Sequence, residues 1–178
     1  MKRFRPRRQT LFLAGLTAGA ALVYGLFLFA HERRAAANLE TLRRTDPAGY
    51  LDQIRKLEGF DAYLALFADH HGFDQARPLA PAFMIGRWTM RDERTRFSAL
   101  ATTECIDPIT FEYGRLEIPQ DSVNARATYR IDGQTLIVAP ATTDPFRVRL
   151  ISFGSKIDHL ELQPPGRDRT YYAYPCSM

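Results

Sequence analysis

The chain is poor in the residues that most often carry chemistry. Its 178 residues include two cysteines, four histidines and one tryptophan. Cys105 and Cys176 are too far apart to form a C-x-x-C, which excludes the common thiol redox and zinc-ribbon motifs. No phosphate-binding loop and no dinucleotide fingerprint occurs. Lysine is found only at positions 2, 56 and 156, so arginine carries most of the positive charge. That skew is typical of a GC-rich bacterial genome. Beyond the first eight residues there is no basic stripe with interleaved aromatics, which excludes the footprint of a nucleic-acid binder. The formal charge of +4 comes from five Lys/Arg in residues 1–8; the rest carries 19 basic against 20 acidic residues.

One long apolar run is present. Residues 11–30 read LFLAGLTAGAALVYGLFLFA, without a charge, behind the basic MKRFRPRR. About 20 apolar residues at ~1.5 Å each span the ~30 Å core of a bilayer. By the positive-inside rule this predicts a cytoplasmic tail over 1–10, a transmembrane signal-anchor over 11–30 and everything after it across the membrane. The location expected is a bacterial inner membrane, single-pass, with a periplasmic C-terminal domain. A cleaved signal would need a shorter apolar core and small residues at the cut; Leu28-Phe29-Ala30 fits that poorly. Arg7-Arg8 fits a twin-arginine signal only loosely. Gly15 and Gly19 make a G-x-x-x-G inside the run, and Tyr24 is its one side chain with a polar handle near an end.

Residues 31–77 read as a helical segment. Ala, Leu, Glu and Arg over 31–44 favour helix. Asp46-Pro47 opens a second helix, with Asp46 as cap and Pro47 in the first turn. Leu51, Ile54 and Leu57 share a face, and Gly59 stops it. A third helix follows from Asp61, with Leu64 and Phe67 on one side, ending near Gly72. Tyr50, Ile54, Leu64 and Phe67 need cover from the β domain, a partner or the membrane surface. They are the candidate partner-binding residues.

Arg77-Pro78-Leu79-Ala80-Pro81 is a stiff connection, since proline fixes φ and disfavours helix before it. The period then changes to two. Strands are predicted over 83–91, 94–102, 109–116, 125–131, 134–139, 146–153, 157–162 and 169–174. In the third, Ile109, Phe111 and Tyr113 share a face. Asp132-Gly133 marks a hairpin, because it accepts the positive φ of a type I′ turn. The fold class expected is α+β and membrane-anchored: one transmembrane helix, a short helical segment, then an antiparallel β barrel or strongly curved sheet of about eight strands.

Gly86-Arg87-Trp88 on the first strand resembles the Gly-x-Trp opening of small bacterial lipocalin-like domains. The stretch from Tyr129 to Leu136, with its central hairpin, and the closing Tyr171-Tyr172-Ala173-Tyr174 are similar to the middle and last strands of their compact members. The resemblance covers 83–176 and makes 78–178 a lipocalin-like β domain. It implies a structural Trp88 at the closed end and a mouth able to admit an apolar ligand, with Trp88, Phe111 and Tyr129 as candidate cavity residues. Barrels this small can instead be filled by their own side chains; Phe97, Phe111, Tyr113, Phe146 and Phe153 supply the bulk, and a filled core is expected.

Reactive constellations are sparse. His70-His71, with Asp69 and Asp74 close by, is the only histidine cluster, short of the ligand count zinc requires; a dipole contact at a helix C-terminus explains it. Glu104, Asp107 and Glu112 have no signature spacing for acid/base work. Ser155 is not in a nucleophile elbow. Arg91, Arg94 and Arg96 are offset by Asp92 and Glu93. No catalytic residue, metal site or cofactor is therefore assigned. A disulfide between Cys105 and Cys176 is expected, worth ~2–4 kcal/mol by constraining the unfolded chain. The function expected is non-catalytic: an envelope module presenting its β domain to a protein partner at the membrane, with no nucleic acid. The alternatives are a lipocalin-like binder of an apolar small molecule, or an inhibitor of an envelope hydrolase acting through residues 103–107.

Overall fold

The computed structural model describes residues 8–95 and 105–177. The chain divides into two units, Met1–Tyr50 and Leu51–Met178, with the boundary inside a helix.

The first unit is dominated by α1 (Arg8–Thr45), which continues from the apolar run into the Ala- and Arg-rich stretch as expected. Its last turn ends on Arg43 and Arg44, a favourable charge for a helix C-terminus. Asp46 then caps α2 (Pro47–Leu57), its Oδ1 accepting the Gly49 N–H at 3.0 Å.

The transmembrane expectation is overturned. Among the described residues no helix is long and apolar enough to cross a membrane. His31, Glu32, Arg33 and Arg34 follow Ala30, so α1 takes in charge as soon as the apolar run ends. The signal-anchor, the inner-membrane location and the periplasmic placement of the C-terminal domain rested on that span and fall with it. Leu22, Val23, Leu26, Phe27 and Phe29 of α1 are exposed.

The second unit carries the rest of α2, then α3 (Phe60–His71) and eight strands. Helix α3 ends as predicted at Gly72, whose φ of 67° is the left-handed conformation a glycine takes at low cost. Gly59, not Asp61, occupies the N-cap. The strands are β1 (Gly86–Arg91), β2 (Pro108–Glu112), β3 (Arg115–Ile118), β4 (Val123–Asp132), β5 (Thr135–Pro140), β6 (Phe146–Phe153), β7 (Lys156–Leu162) and β8 (Tyr171–Pro175). Each pairs antiparallel with its neighbour, and β8 pairs with β1, giving a closed up-and-down barrel. Of the two expected architectures, the barrel is the one formed.

Two strand assignments differ. The strand expected over 94–102 lies largely outside the described residues. The one expected over 109–116 is the β2–β3 hairpin, turned at Tyr113-Gly114, where Gly114 has a φ of 77°. Tyr113 is therefore in the turn and 75% exposed, not on the inner face with Ile109 and Phe111. Phe153 is likewise 67% exposed at the end of β6. Neither fills the core, and Phe97 lies outside the described residues.

The interior is filled all the same. Register places Trp88, Met90, Ile109, Phe111, Leu116, Ile118, Tyr129, Leu136, Val138, Phe146, Val148, Leu150, Leu160 and Leu162 inward, and all are buried in one cluster. Helix α3 lies across the end that carries the β4–β5 and β6–β7 turns. The Phe60 N–H donates to the Gly154 carbonyl at 2.8 Å. Asp61 accepts from Gln134 Nε2 and from Ser152 Oγ, both at 2.7 Å. Phe60 and Phe67 pack on Phe83 with ring centroids 5.4 and 5.1 Å apart. The connection after α3 joins the sheet as well. Beyond the end of β3, the free edge of β4 pairs with this segment: Arg77 and Tyr129 exchange both backbone hydrogen bonds at 2.8 Å, and the Ile131 N–H donates to Phe73 O.

Candidate functional site

The two ends of the barrel differ in chemistry. At the end sealed by α3, Trp88 donates its indole N–H to the Met84 carbonyl at 2.9 Å, a satisfied structural tryptophan. Phe111 and Tyr129 lie within the barrel with centroids 6.4 Å apart. Burial pushes the Tyr129 phenol up to about 12. The three candidate cavity residues are thus together inside the barrel, each packed by its neighbours. Of the candidate partner-binding residues, Ile54, Leu64 and Phe67 are buried within the second unit, and Leu64 and Phe67 belong to the barrel's own core cluster. Tyr50, in the first unit, is half-buried.

At the opposite end a cleft of about 590 Å³ opens between the end of β1, the β1–β2 loop and the β7–β8 loop. Its walls carry Arg91, Asp92, Glu93, Asp107, Arg167 and Arg169. Tyr171, the first residue of β8, forms its inner edge. The Arg169 Nε donates to the Tyr171 phenol oxygen at 2.9 Å, and both Arg167 and Arg169 lie over its ring, 4.7 and 5.0 Å from the centroid. Hydrogen bonds from Arg169 and then Arg167 hold the phenol below its ordinary value. Carboxylates fix the guanidinium groups from behind: Asp121 on Arg167 at 2.7 Å and Asp92 on Arg169 at 2.9 Å. The cleft thus offers positioned charges of both signs without an excess of either.

The outer face of β1 is braced, where the Cys176 N–H donates to Arg87 O at 2.9 Å. Cys105 and Cys176 form the expected disulfide, their Cα atoms 5.5 Å apart. Next to it, Ile106 exchanges both of its backbone groups with buried Thr89: the hydroxyl donates to Ile106 O at 2.6 Å and accepts from Ile106 N at 3.0 Å. The Ile106 side chain is nevertheless 60% exposed. Of the 103–107 segment, Thr103 and Glu104 lie outside the described residues, as does Arg96. Asp107 is at the cleft, whereas Glu112 ends β2 at the other end of the barrel, so these two form no acid/base pair. Ser155 sits in the β6–β7 turn, where its carbonyl accepts Arg55 Nε at 2.6 Å.

Burial, then the neighbouring His70, push the His71 imidazole below its ordinary value, which weakens the dipole account for that residue. Among the described residues no group of three or more His, Cys, Asp or Glu is placed to hold a metal ion.

Sequence reasoning passed over a second cluster on the outer wall. The β6–β7 register skips from Ile151↔His159 to Ser152↔Ile157, leaving Asp158 as the extra residue of a bulge. Asp158 and His159 are 2% and 0% exposed, although His159 points away from the barrel interior. The signal was present: Ile157 and Leu160 are out of phase for a regular strand, and the slip falls on Asp158-His159. No protein-family model, curated protein or solved structure matches the chain.

Proposed function

We propose that this protein is a non-catalytic binding module: a filled lipocalin-like barrel that engages a protein partner through its open end. The observation that carries the reading is the interior. A barrel whose inward residues are buried against one another, with one end sealed by α3, offers its ligand a surface and not a cavity. The mouth is the part of that surface with organised chemistry, where paired and positioned arginines and carboxylates suit a polar protein face.

The test is crosslinking of the full chain in its native cells, read by mass spectrometry, for wild type and for Arg169→Glu. A stoichiometric partner that is lost in R169E and kept in a charge reversal at Lys56 supports the mouth. The competing reading, an apolar small-molecule binder, is checked in the same preparation by titrating a fluorescent fatty acid against Trp88 emission. Saturable quenching at one site per chain would replace the present reading.

A hydrolase inhibitor is a second reading, favoured by Ile106. An exposed branched side chain on a backbone pinned by a disulfide and by Thr89 is pre-organised to enter an apolar pocket. In that case Ile106→Asp abolishes the interaction that R169E only weakens.

A further inference from the structure

Along β4, β5 and β6 buried residues alternate with outward ones, so every second side chain stands on the barrel's outer wall. Strand β5 sends out Thr135, Ile137 and Ala139, all half-buried and uncharged. On one side of it β4 sends out Arg126 and Arg130, and on the other β6 sends out Arg147 and Arg149, all four exposed. The register sets them in rows. Arg130 stands opposite Ile137, and Ile137 opposite Arg147. Thr135 likewise stands opposite Arg149. Residues directly opposite each other share a face, so an uncharged stripe runs between two rows of guanidinium groups.

Three of those charges are uncommitted. Arg149 is paired with Glu161 at 3.3 Å. Among the described residues, Arg126, Arg130 and Arg147 form no ion pair and no side-chain hydrogen bond. Asp132, at the hairpin end of β4, is the one carboxylate at an outward position of these strands. The mouth is different, because Arg167 and Arg169 each hold a carboxylate there. The outer wall is therefore where positive charge is left to act on an approaching molecule.

The stripe ends in a groove. Beside Ala139 a depression of about 480 Å³ is lined by Pro78, Tyr113, Arg126, Thr128 and Ala141. Tyr113 is exposed along its edge, and the short side chains of Ala139 and Ala141 leave room for an apolar group. Free charge of one sign around an uncharged stripe and groove fits a ligand with the opposite charge and an apolar side chain on one backbone. An extended chain advances ~3.4 Å per residue, so Arg126 and Arg130 are about 14 Å apart along β4 and match carboxylates four residues apart in an extended segment. A single-stranded nucleic acid asks instead for aromatic platforms, and only Tyr113 among these residues is aromatic.

We propose that the outer wall of β4–β6 is a docking surface for an extended acidic segment of a partner protein. Its carboxylates lie on Arg126, Arg130 and Arg147, and an apolar side chain enters the groove beside Tyr113. The surface shares no residue with the cleft at the mouth, and the inference does not rest on the reading of that cleft.

The test uses the full chain and a fluorescein-labelled decapeptide of alternating glutamate and valine, followed by fluorescence anisotropy at low salt. The expected result is saturable binding at one site per chain. Arg130→Glu weakens it about ten-fold, added salt weakens it as well, and circular dichroism stays unchanged. A peptide of alternating glutamate and serine, with the same charge and no apolar side chain, binds more weakly. Arg169→Glu at the mouth leaves the affinity as it was. The proposal is overturned if the glutamate–valine peptide does not bind, if R130E binds it as tightly as wild type, or if the two peptides bind alike. It is equally overturned if an oligothymidylate of the same length binds as tightly as the glutamate–valine peptide, which would make the wall a nucleic-acid surface, or if R169E weakens peptide binding as much as R130E does.

Discussion

The two ends of the barrel are built from the same strands and do opposite things. The end under α3 is closed by aromatic rings and by turn contacts to Asp61 and Phe60. The mouth is lined by arginines and carboxylates that pair across loops. Apolar burial is concentrated at the first and paired charge at the second. An apolar ring withdrawn from water contributes a few kcal/mol, whereas a solvated ion pair contributes little.

Substitution at each end breaks or sharpens this contrast. Phe60→Ala removes a fully buried ring under the β6–β7 turn and should cost about 3–5 kcal/mol in denaturant unfolding. Arg169→Ala at the mouth should leave the unfolding midpoint almost unchanged, because its pair with Asp92 is exposed. Equal losses would mean that the mouth is structural and not a recognition surface.

The disulfide comes next in size. It closes a loop with a sequence separation of 71, so Cys105→Ser with Cys176→Ser should lower stability by about 2–4 kcal/mol. The loss should leave the α3 end protected from hydrogen exchange and open amides near Ile106. Uniform loss of protection would show that the two ends are not energetically distinct.

The smallest effect is in the tyrosines. Tyr129, inside the barrel, has its phenol raised from the ordinary 10.0 to about 12, so its contribution is full below pH ~10 and is lost as pH rises through about 12. Tyr171, at the mouth, is held low by Arg169 and Arg167. Its contribution has the opposite sign, present above the ordinary value and lost as pH falls through the lowered one. In an ultraviolet titration of the phenols, Tyr171→Phe should remove the earliest step and Tyr129→Phe the latest.

The closed end was more legible in sequence than the mouth. Helices α2 and α3 announced themselves through Asp46-Pro47 and Gly72, and the β4–β5 hairpin through Asp132-Gly133, because each signal is local backbone chemistry. Tyr113-Gly114 was missed, since alternation through Ile109, Phe111 and Tyr113 looks unbroken until the turn reverses the chain. The apolar run at 11–30 was read by hydropathy alone. The described helix takes in charge as soon as that run ends. The mouth was illegible for another reason. Asp121 and Asp92 are far in sequence from Arg167 and Arg169 and meet them only through barrel closure. Asp158-His159 was hidden by an insertion of one residue, visible only as a slip in phase.

The backbone exchange between Arg77 and Tyr129 has a practical consequence for cutting the chain. A fragment begun at Pro78 would keep all eight strands yet strip the outer edge of β4, leaving the Tyr129 and Ile131 amides with no acceptor. Such a fragment would find its missing strand on a neighbouring molecule and precipitate or exchange segments. The shortest piece worth expressing alone therefore begins ahead of α3, and the stretch that looks like a linker is the barrel's ninth stave.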